Sequence, residues 1–191
     1  TVSEVEANGK EYVDSLADVQ ALEPGQKSIG QFECNALWQG IVNGDQPTLS
    51  ELTIEALELL SADEDGFFLM VEGAHIDKRS HDQDGDGART AVLEFDKAVS
   101  AVLDFAEENG NTLVIVTADH ETGSVTKQDD GSYKWTTGSH SSANVPLLVY
   151  GSDSFIENGE AVENKEIPYR AVMLMTNNEQ KFPCSLYCLN K

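Results

Sequence analysis

Two short apolar runs on either side of one long amphipathic segment constrain the fold of this chain most. Residues 66–71 (GFFLMV) and 112–117 (TLVIVT) have the length and composition of buried strands. Between them, residues 88–109 carry apolar side chains at helical spacing and end before Gly110, a typical helix stop. A strand, a helix and a second strand in this order predict an α/β fold with a largely parallel sheet.

Other segments extend this pattern along the chain. Residues 47–62 and 168–176 are predicted helices, and residues 27–32 and 145–150 (VPLLVY) are predicted strands. We therefore expect a three-layer sandwich, in which ligands bind beyond the carboxyl ends of the strands. The helix over 88–109 should pack on the sheet through four of its apolar residues: Val92, Phe95, Val99 and Val102.

The charge of the chain excludes several classes of protein. Against 34 Asp and Glu stand only 12 Lys and Arg, so the net charge is -22. Such a surface repels phosphate backbones and anionic lipids, which argues against nucleic-acid or membrane-surface binding. No apolar run reaches the ~18 residues of a membrane span. Residues 1–10 are polar and acidic and show no signal-peptide pattern.

The three cysteines leave several interpretations open. Cys34 stands alone, whereas Cys184 and Cys188 lie four residues apart near the C-terminus. The pair could form a local disulfide, remain as free thiols or supply two zinc ligands. A structural role is favoured over a catalytic one.

The histidines lie beside the predicted strands. Two follow strand 66–71, one follows strand 112–117, and one precedes strand 145–150; in order they are His75, His81, His120 and His140. A single histidine after a strand is usually only a hydrogen-bonded loop residue. Three such segments at three strand ends together predict a site for metal ions.

Two carboxylates accompany these histidines. Asp77 and His81 are four residues apart, so one turn of helix would point both side chains the same way. Asp119 and His120 are adjacent after a strand and can reach one region. Imidazole nitrogens together with carboxylate oxygens suit Zn²⁺, and carboxylate alone suits Mg²⁺.

Three segments of the chain resemble the metal-binding segments of the alkaline phosphatase family. They are EGAHIDKRSH at 72–81, TADH at 117–120, and HSSANVPLLVYG at 140–151. The resemblance covers about residues 10–175, and the tail 177–191 matches nothing in it. It implies that residues 1–191 are the C-terminal portion of an alkaline phosphatase catalytic domain.

The resemblance implies zinc ligands by position. Asp77, His81 and His140 match the ligands of the first zinc ion, and Asp119 and His120 match two ligands of the second. The first site would thus have a catalytic set of three ligands, and the second would be incomplete.

The resemblance also implies a magnesium ligand and a phosphate-binding residue. Glu72 matches a ligand of Mg²⁺ in a site that is otherwise incomplete, and Lys78 lies where some relatives hold phosphate. His75 matches a variable position, so we expect it behind the ligands or at the surface. The implied reaction is hydrolysis of phosphate monoesters through a covalent phosphoserine and two zinc ions.

Part of the family's catalytic machinery has no match here. The nucleophile is a serine in an Asp-Ser-Ala type segment, and Ser15 after Asp14 lacks the preceding buried strand. The aspartate that bridges zinc and magnesium and the phosphate-binding arginine are also unmatched. We therefore expect little activity from this chain alone. The resemblance implies a periplasmic or secreted protein that forms a homodimer or pairs with an N-terminal half.

Alternatives from other classes remain open. Residues 82–93 begin like a calcium-binding EF-hand loop, but the twelfth position is Leu93 and the carboxylate of Glu94 comes one place late. A solvated acidic turn is the more ordinary interpretation. The chain could also be a non-catalytic fragment or subunit that binds zinc or calcium, or a related phosphomutase or sulfatase.

Overall fold

The structure is a computed structural model that describes residues 1–33 and 35–176. Its helices are α1 (Val2–Ala7), α2 (Leu16–Gln20), α3 (Ala36–Asn43), α4 (Leu49–Leu60), α5 (Ala74–His81), α6 (Gly85–Asn109) and α7 (Glu166–Met175). Its strands are β1 (Glu11–Val13), β2 (Ser28–Gly30), β3 (Val114–Thr117), β4 (Glu121–Thr122), β5 (Thr126–Lys127), β6 (Tyr133–Lys134), β7 (His140–Ser141) and β8 (Leu147–Tyr150). The three cysteines and the tail 177–191 lie outside the described residues.

Helices form where apolar spacing and end signals predict them. Helices α4, α6 and α7 lie within the predicted segments or extend them by no more than one turn. Helix α4 begins at Thr48, whose backbone N–H donates to the Glu51 carboxylate at 2.8 Å, so the first turn has a capping box. The α/β class is confirmed.

Helix α6 joins the other elements of the main body. Helices α4 and α5 pack against it, and it also contacts β3. Small side chains make the closest contacts, since Ala88, Ala91 and Ala98 are buried. The face of α6 that is predicted to pack on the sheet lines an open cleft instead. Val92 on this face is 48% exposed, and Phe95 and other apolar residues line the same cleft.

The strands pair differently from the prediction of a largely parallel sheet. In the described part of the chain, β1 and β2 pair in parallel, whereas β3 pairs with β8, β4 with β7 and β5 with β6 in antiparallel register. Segments 112–117 and 145–150, both expected in a largely parallel sheet, therefore pair with each other in antiparallel register. A parallel connection needs a crossover, usually a helix, but here short hairpin strands link β3 to β8.

Residues 66–71 also differ from the prediction. They run extended but belong to no strand ladder among the residues that the structure describes. Phe68 is 77% exposed and Met70 is 75% exposed, so both apolar side chains face open space. Phe68 and Met70 are therefore left uncovered by the described part of the chain.

A cleft of about 1940 Å³ opens beside this segment. Its walls include residues 66–73 on one side and residues 111–122 on another, with apolar side chains of α6 between them. The carboxyl ends of both extended segments reach this cleft, so the residues that follow them are close to it. Among the described helices, none is long and apolar enough to cross a membrane.

Candidate metal centre

Two elements bring most of the predicted metal-binding side chains together. Helix α5 carries Asp77 and His81 one turn apart, as their spacing predicts. Strand β7 pairs with β4 so that His140 lies opposite Thr122, and His120 immediately precedes β4. The hairpin therefore places two histidines against the face of α5 that carries Asp77.

Three donor atoms converge at this point. His81 Nε2 lies 3.3 Å from Asp77 Oδ1, His140 Nε2 lies 3.5 Å from the same oxygen, and the two nitrogens are 3.0 Å apart. Ligands bound tetrahedrally to zinc at about 2.0–2.1 Å lie about 3.3 Å from one another. The three separations therefore fit ligands around one zinc-sized ion.

The tautomer of His81 is fixed by a backbone carbonyl. His81 Nδ1 lies 2.7 Å from the carbonyl oxygen of Gly138. A carbonyl can only accept, so Nδ1 carries the proton, and in the neutral ring Nε2 keeps its electron pair. Metal-binding histidines commonly have this arrangement, with the other ring nitrogen donating to a carbonyl or carboxylate.

The hydroxyl of Thr122 joins His120 to Asp77. Thr122 Oγ1 donates to Asp77 Oδ1 at 2.6 Å and lies 3.2 Å from His120 Nδ1. Because the single hydroxyl proton goes to the carboxylate, Nδ1 of His120 must be the donor in the second bond. The Nε2 electron pair of His120 is thus left free, as it is in His81.

Asp77, His120 and His140 form a candidate metal-binding group. One donor atom from each lies within 4.8 Å of the others. The imidazole of His120 stacks on that of His140 with ring centroids 3.5 Å apart. The structure therefore brings together one residue from each predicted ligand set, His120 from the second and His140 from the first.

The remaining predicted site residues are two exposed carboxylates and an exposed lysine. The Asp119 carboxylate is 86% exposed, and its Oδ2 lies 3.3 Å from His120 Nε2. Glu72 is exposed and lines the cleft with Asp77 and Asp119. Lys78 is exposed on α5, one residue beyond Asp77.

His75 lies in an apolar contact and is not at the surface. Its side chain is only 9% exposed and stacks on Trp38 with ring centroids 5.4 Å apart. The pKa of His75 is lowered, first because burial disfavours the charged ring and second because Lys78 and Arg79 repel it. The Arg79 guanidinium lies 4.2 Å from the centre of the Trp38 ring. Trp38 thus holds the face of α5 that carries His75 and Arg79.

The acidic turn at 82–86 caps a helix. Asp84 accepts a hydrogen bond from the backbone N–H of Gly87 at 2.9 Å, and Arg79 lies 3.9 Å from the same carboxylate. Helix α6 already begins at Gly85. Because most of residues 82–93 are helical, the backbone cannot form an EF-hand loop, and that alternative is wrong.

Ser15 also has a capping role. Its hydroxyl accepts from the backbone N–H of Asp18 at 3.2 Å and donates to the Asp18 carboxylate at 2.5 Å. It begins helix α2 and lines a separate cavity of about 680 Å³. The structure does not bring Ser15 to the metal-binding group.

Sequence reasoning missed two contributors to the centre. Thr122 could have been identified, because side chains two residues apart in a strand point to the same side, and His120 was already a candidate. The Gly138 carbonyl had no such signal, since any residue carries a carbonyl oxygen. Its role depends on how the hairpin folds back on α5.

Comparisons with known proteins show the family of this chain. The family model for alkaline phosphatase matches residues 1–166, and the chain belongs to the alkaline phosphatase family. Alkaline phosphatase 3 of Bacillus subtilis is 39% identical over 135 residues, 70% of this chain. Alkaline phosphatase of Escherichia coli is 53% identical over 78 residues, 41% of this chain.

A solved structure shows the same fold. Alkaline phosphatase from the Antarctic bacterium TAB5 superposes with a TM-score of 0.75 at 29% identity, covering 94% of this chain and 55% of its own. The expected alkaline-phosphatase-like fold is thereby confirmed in part of its extent. The chain spans 29% of the Bacillus subtilis enzyme and 17% of the Escherichia coli enzyme.

Proposed function

We propose that this chain supplies the metal-binding part of an alkaline phosphatase that hydrolyses phosphate monoesters. The convergence of three donor atoms from Asp77, His81 and His140 at 3.0 to 3.5 Å carries the proposal. Two neutral imidazole nitrogens and a carboxylate oxygen this close repel one another unless a cation or a proton lies between them. The combination of nitrogen and oxygen donors favours zinc.

The proposed ligand sets follow the family pattern. Asp77, His81 and His140 would hold the first zinc ion, and Asp119 and His120 would contribute to the second. The 3.3 Å between Asp119 Oδ2 and His120 Nε2 is compatible with two ligands of one ion.

Glu72 would add a magnesium ligand to the site, and Lys78 would add a phosphate-binding residue. Glu72 is an exposed carboxylate at the cleft and would bind Mg²⁺, which prefers oxygen ligands. Lys78 is an exposed ammonium next to Asp77 and would attract the phosphate of the substrate. In a chain with only 12 basic residues, a lysine that follows Asp77 directly would offset some of the repulsion of a dianion.

The mechanism assigns distinct tasks to the described residues. Zinc bound at such a centre would polarise a phosphoryl oxygen and lower the pKa of a hydroxyl nucleophile. Gly138 and Thr122 favour the tautomers of His81 and His120 that carry the proton on Nδ1, so that in each neutral ring Nε2 offers its electron pair. Lys78 would orient the phosphate, which is the positioning part of catalysis.

The nucleophile in this proposal comes from outside the described residues. The open cleft of about 1940 Å³ lies between the extended segment 66–71 and strand β3, whose ladder partner is β8. In the described part of the chain, segment 66–71 has no ladder partner and β3 pairs on one side only, so an added apolar strand could pair with either. We propose that the N-terminal half of an alkaline phosphatase provides this strand and the serine, and that a homodimer is the alternative occupant.

Zinc binding provides the first test. We expect His140→Ala to weaken zinc binding ~10-fold or more in a competition titration, since losing partners that merely orient a ligand already costs this much. Glu58→Ala, which removes an exposed carboxylate on helix α4 away from the cleft, is the control and should bind as the unmodified chain does. Equal zinc affinity for His140→Ala and the unmodified chain would refute the first zinc site.

Hydrolysis of p-nitrophenyl phosphate with added Zn²⁺ and Mg²⁺ provides the second test. The chain alone should show little turnover, because removing a catalytic nucleophile costs ~10⁶-fold in a comparable system. Activity should appear when the N-terminal half of a related alkaline phosphatase is added. Turnover of ~1–10³ s⁻¹ without it would contradict the split-site proposal and make Ser15 the first residue to replace.

The family also supports a periplasmic or secreted location, which we propose without assigning a physiological substrate. Fractionation of the source cells, followed by an immunoblot of each fraction for this protein, would test it. Recovery of the protein only with cytosolic markers would contradict the proposal.

A further inference from the structure

We propose that Trp135 is a positioning residue for the metal centre, an inference that rests on the proposed function. It lies in the segment 121–141, which leaves β4 through the β5–β6 hairpin and returns at β7. This segment carries His140 and the Gly138 carbonyl, but it has few buried apolar side chains of its own. Its placement against α5 therefore needs an anchor.

The indole of Trp135 occupies a cradle made by two glycines. A β-carbon at Gly85 would lie 2.7 Å from Trp135 Cζ3, and one at Gly123 would overlap the five-membered ring. Gly85 is the first residue of α6, and Gly123 follows β4 directly. The ring can approach both backbones this closely only because neither residue has a side chain.

A series of hydrogen bonds connects the backbone next to Trp135 with the candidate metal centre. The backbone N–H groups of Thr136 and Thr137 donate to the Gly123 carbonyl at 2.9 and 3.2 Å, and that of Gly123 donates to the Ser139 carbonyl at 3.0 Å. The next contact along the chain is the 2.7 Å bond between Gly138 and His81. A shift at Trp135 would therefore displace both the Gly138 carbonyl and His140.

The surroundings of the indole N–H indicate that Trp135 acts through its shape rather than through a hydrogen bond. Trp135 Nε1 is buried, and among the described residues it has no hydrogen-bond partner. Unsatisfied buried donors cost stability, so a tryptophan selected for hydrogen bonding would not be placed in this way. The contribution of Trp135 is the volume that fills the space between Gly85 and Gly123.

The first experiment compares three variants with the unmodified chain by zinc competition titration. Trp135→Ala should bind zinc ~10-fold or more weakly, like loss of other residues that orient metal ligands. Trp135→Phe should keep more of the affinity than Trp135→Ala, because its ring still fills the Gly123 side of the cradle and the change breaks no hydrogen bond. Tyr133→Ala, an exposed aromatic on the same hairpin, should bind as the unmodified chain does.

Gly85→Ala tests the cradle from its other wall. Alanine favours a helix more than glycine does, so this change alone should not harm α6. Its β-carbon would collide with the indole, and zinc binding should weaken. In the double variant with Trp135→Ala, the added alanine should have no further effect. If Gly85→Ala lowered zinc affinity by the same factor in the Trp135→Ala variant as in the unmodified chain, the cradle would be contradicted.

Amide hydrogen exchange of the metal-free chain separates this inference from the proposed function. Trp135→Ala should speed exchange at Thr136, Thr137 and Gly123, and Trp135→Phe should largely restore protection. If the unmodified chain binds no zinc, the proposed function fails, and the exchange comparison still decides whether Trp135 anchors the segment. Unchanged exchange, or unchanged zinc affinity with normal binding by the unmodified chain, would overturn the inference.

Discussion

The hydroxyl of Thr122 contacts two candidate metal-binding residues, Asp77 and His120, and orients both of them. It donates to Asp77 at 2.6 Å and lies 3.2 Å from His120 Nδ1, from which it accepts. One side chain thus orients a carboxylate from helix α5 and an imidazole that precedes strand β4. Both orientations are lost if the oxygen is removed, even where the shape of the side chain is preserved.

Thr122→Val should therefore weaken zinc binding ~10-fold or more, the usual cost of removing a partner of a metal ligand. Valine is close in shape to threonine but cannot replace the hydroxyl. Thr122→Ser keeps the oxygen and should restore most of the affinity. A competition titration of the three proteins checks this, and equal binding by the valine and serine variants would contradict the role of the hydroxyl.

Residue types and their spacing were enough to predict the histidines and the aspartate that the structure brings together as a candidate metal-binding group. Asp77 and His81 are one helical turn apart in a helix that the structure confirms, so their proximity follows from local geometry. The position of His140 depends on the β4–β7 register, which no local pattern specifies. The sequence could therefore predict the participants, but it could not predict that His140 stacks on His120.

At the scale of elements, helices were easier to predict than strand partners. The bounds of a helix such as α4 depend on apolar spacing and on a cap within one turn, and both can be read locally. The direction in which β8 pairs depends on the 29 residues between it and β3, which form hairpins rather than a crossover helix. The absence of a helical pattern between residues 118 and 144 was the available signal.

Helix α7 is tied to the preceding loop by one charged pair. Arg170 donates to Glu160 at 2.7 and 3.2 Å and to the carbonyl of the fully buried Phe155 at 2.8 Å. The Arg170 hydrogen bonds lower the pKa of Glu160 to about 2 from its ordinary value of 4.5. The ionised carboxylate is thus the form that stabilises the fold.

Glu160→Gln should reduce the free energy of unfolding at neutral pH, and this difference should depend on pH. A lowered pKa in the folded state adds stability that is fully present above the unfolded value near 4.5 and lost as the pH falls toward 2. Urea unfolding of both proteins between pH 7 and pH 2 would measure the difference. A gap between the two proteins that stays constant over this range would contradict the ion pair.

Glu157→Gln is the control for this experiment. Glu157 is exposed in the same loop, and its backbone N–H, not its carboxylate, contacts Glu160. Its replacement removes the same amount of charge but leaves the pair intact. The pH dependence should therefore remain that of the unmodified chain.

At the scale of the whole molecule, charge repulsion opposes the packing of the chain. A net charge of -22 is spread over only 191 residues, and the acidic side chains are predominantly exposed. Helix α6 even ends with Glu107 and Glu108, where the helix dipole disfavours negative charge and no basic residue offsets it. The fold also leaves apolar side chains exposed around the cleft, so apolar burial stabilises it less and offsets less of this repulsion.

Added salt should therefore raise the melting temperature of this chain. The screening length falls from about 30 Å at 0.01 M to about 3 Å at 1 M, so repulsion between carboxylates across the surface is largely removed. The melting temperature should rise steadily over this range in sodium chloride, and potassium chloride should act alike because screening does not depend on which monovalent cation is present. The double variant Glu107→Gln, Glu108→Gln should melt higher at low salt and gain less from added salt. A melting temperature that stays flat or falls between 0.01 and 1 M would show that repulsion does not limit the stability of this fold.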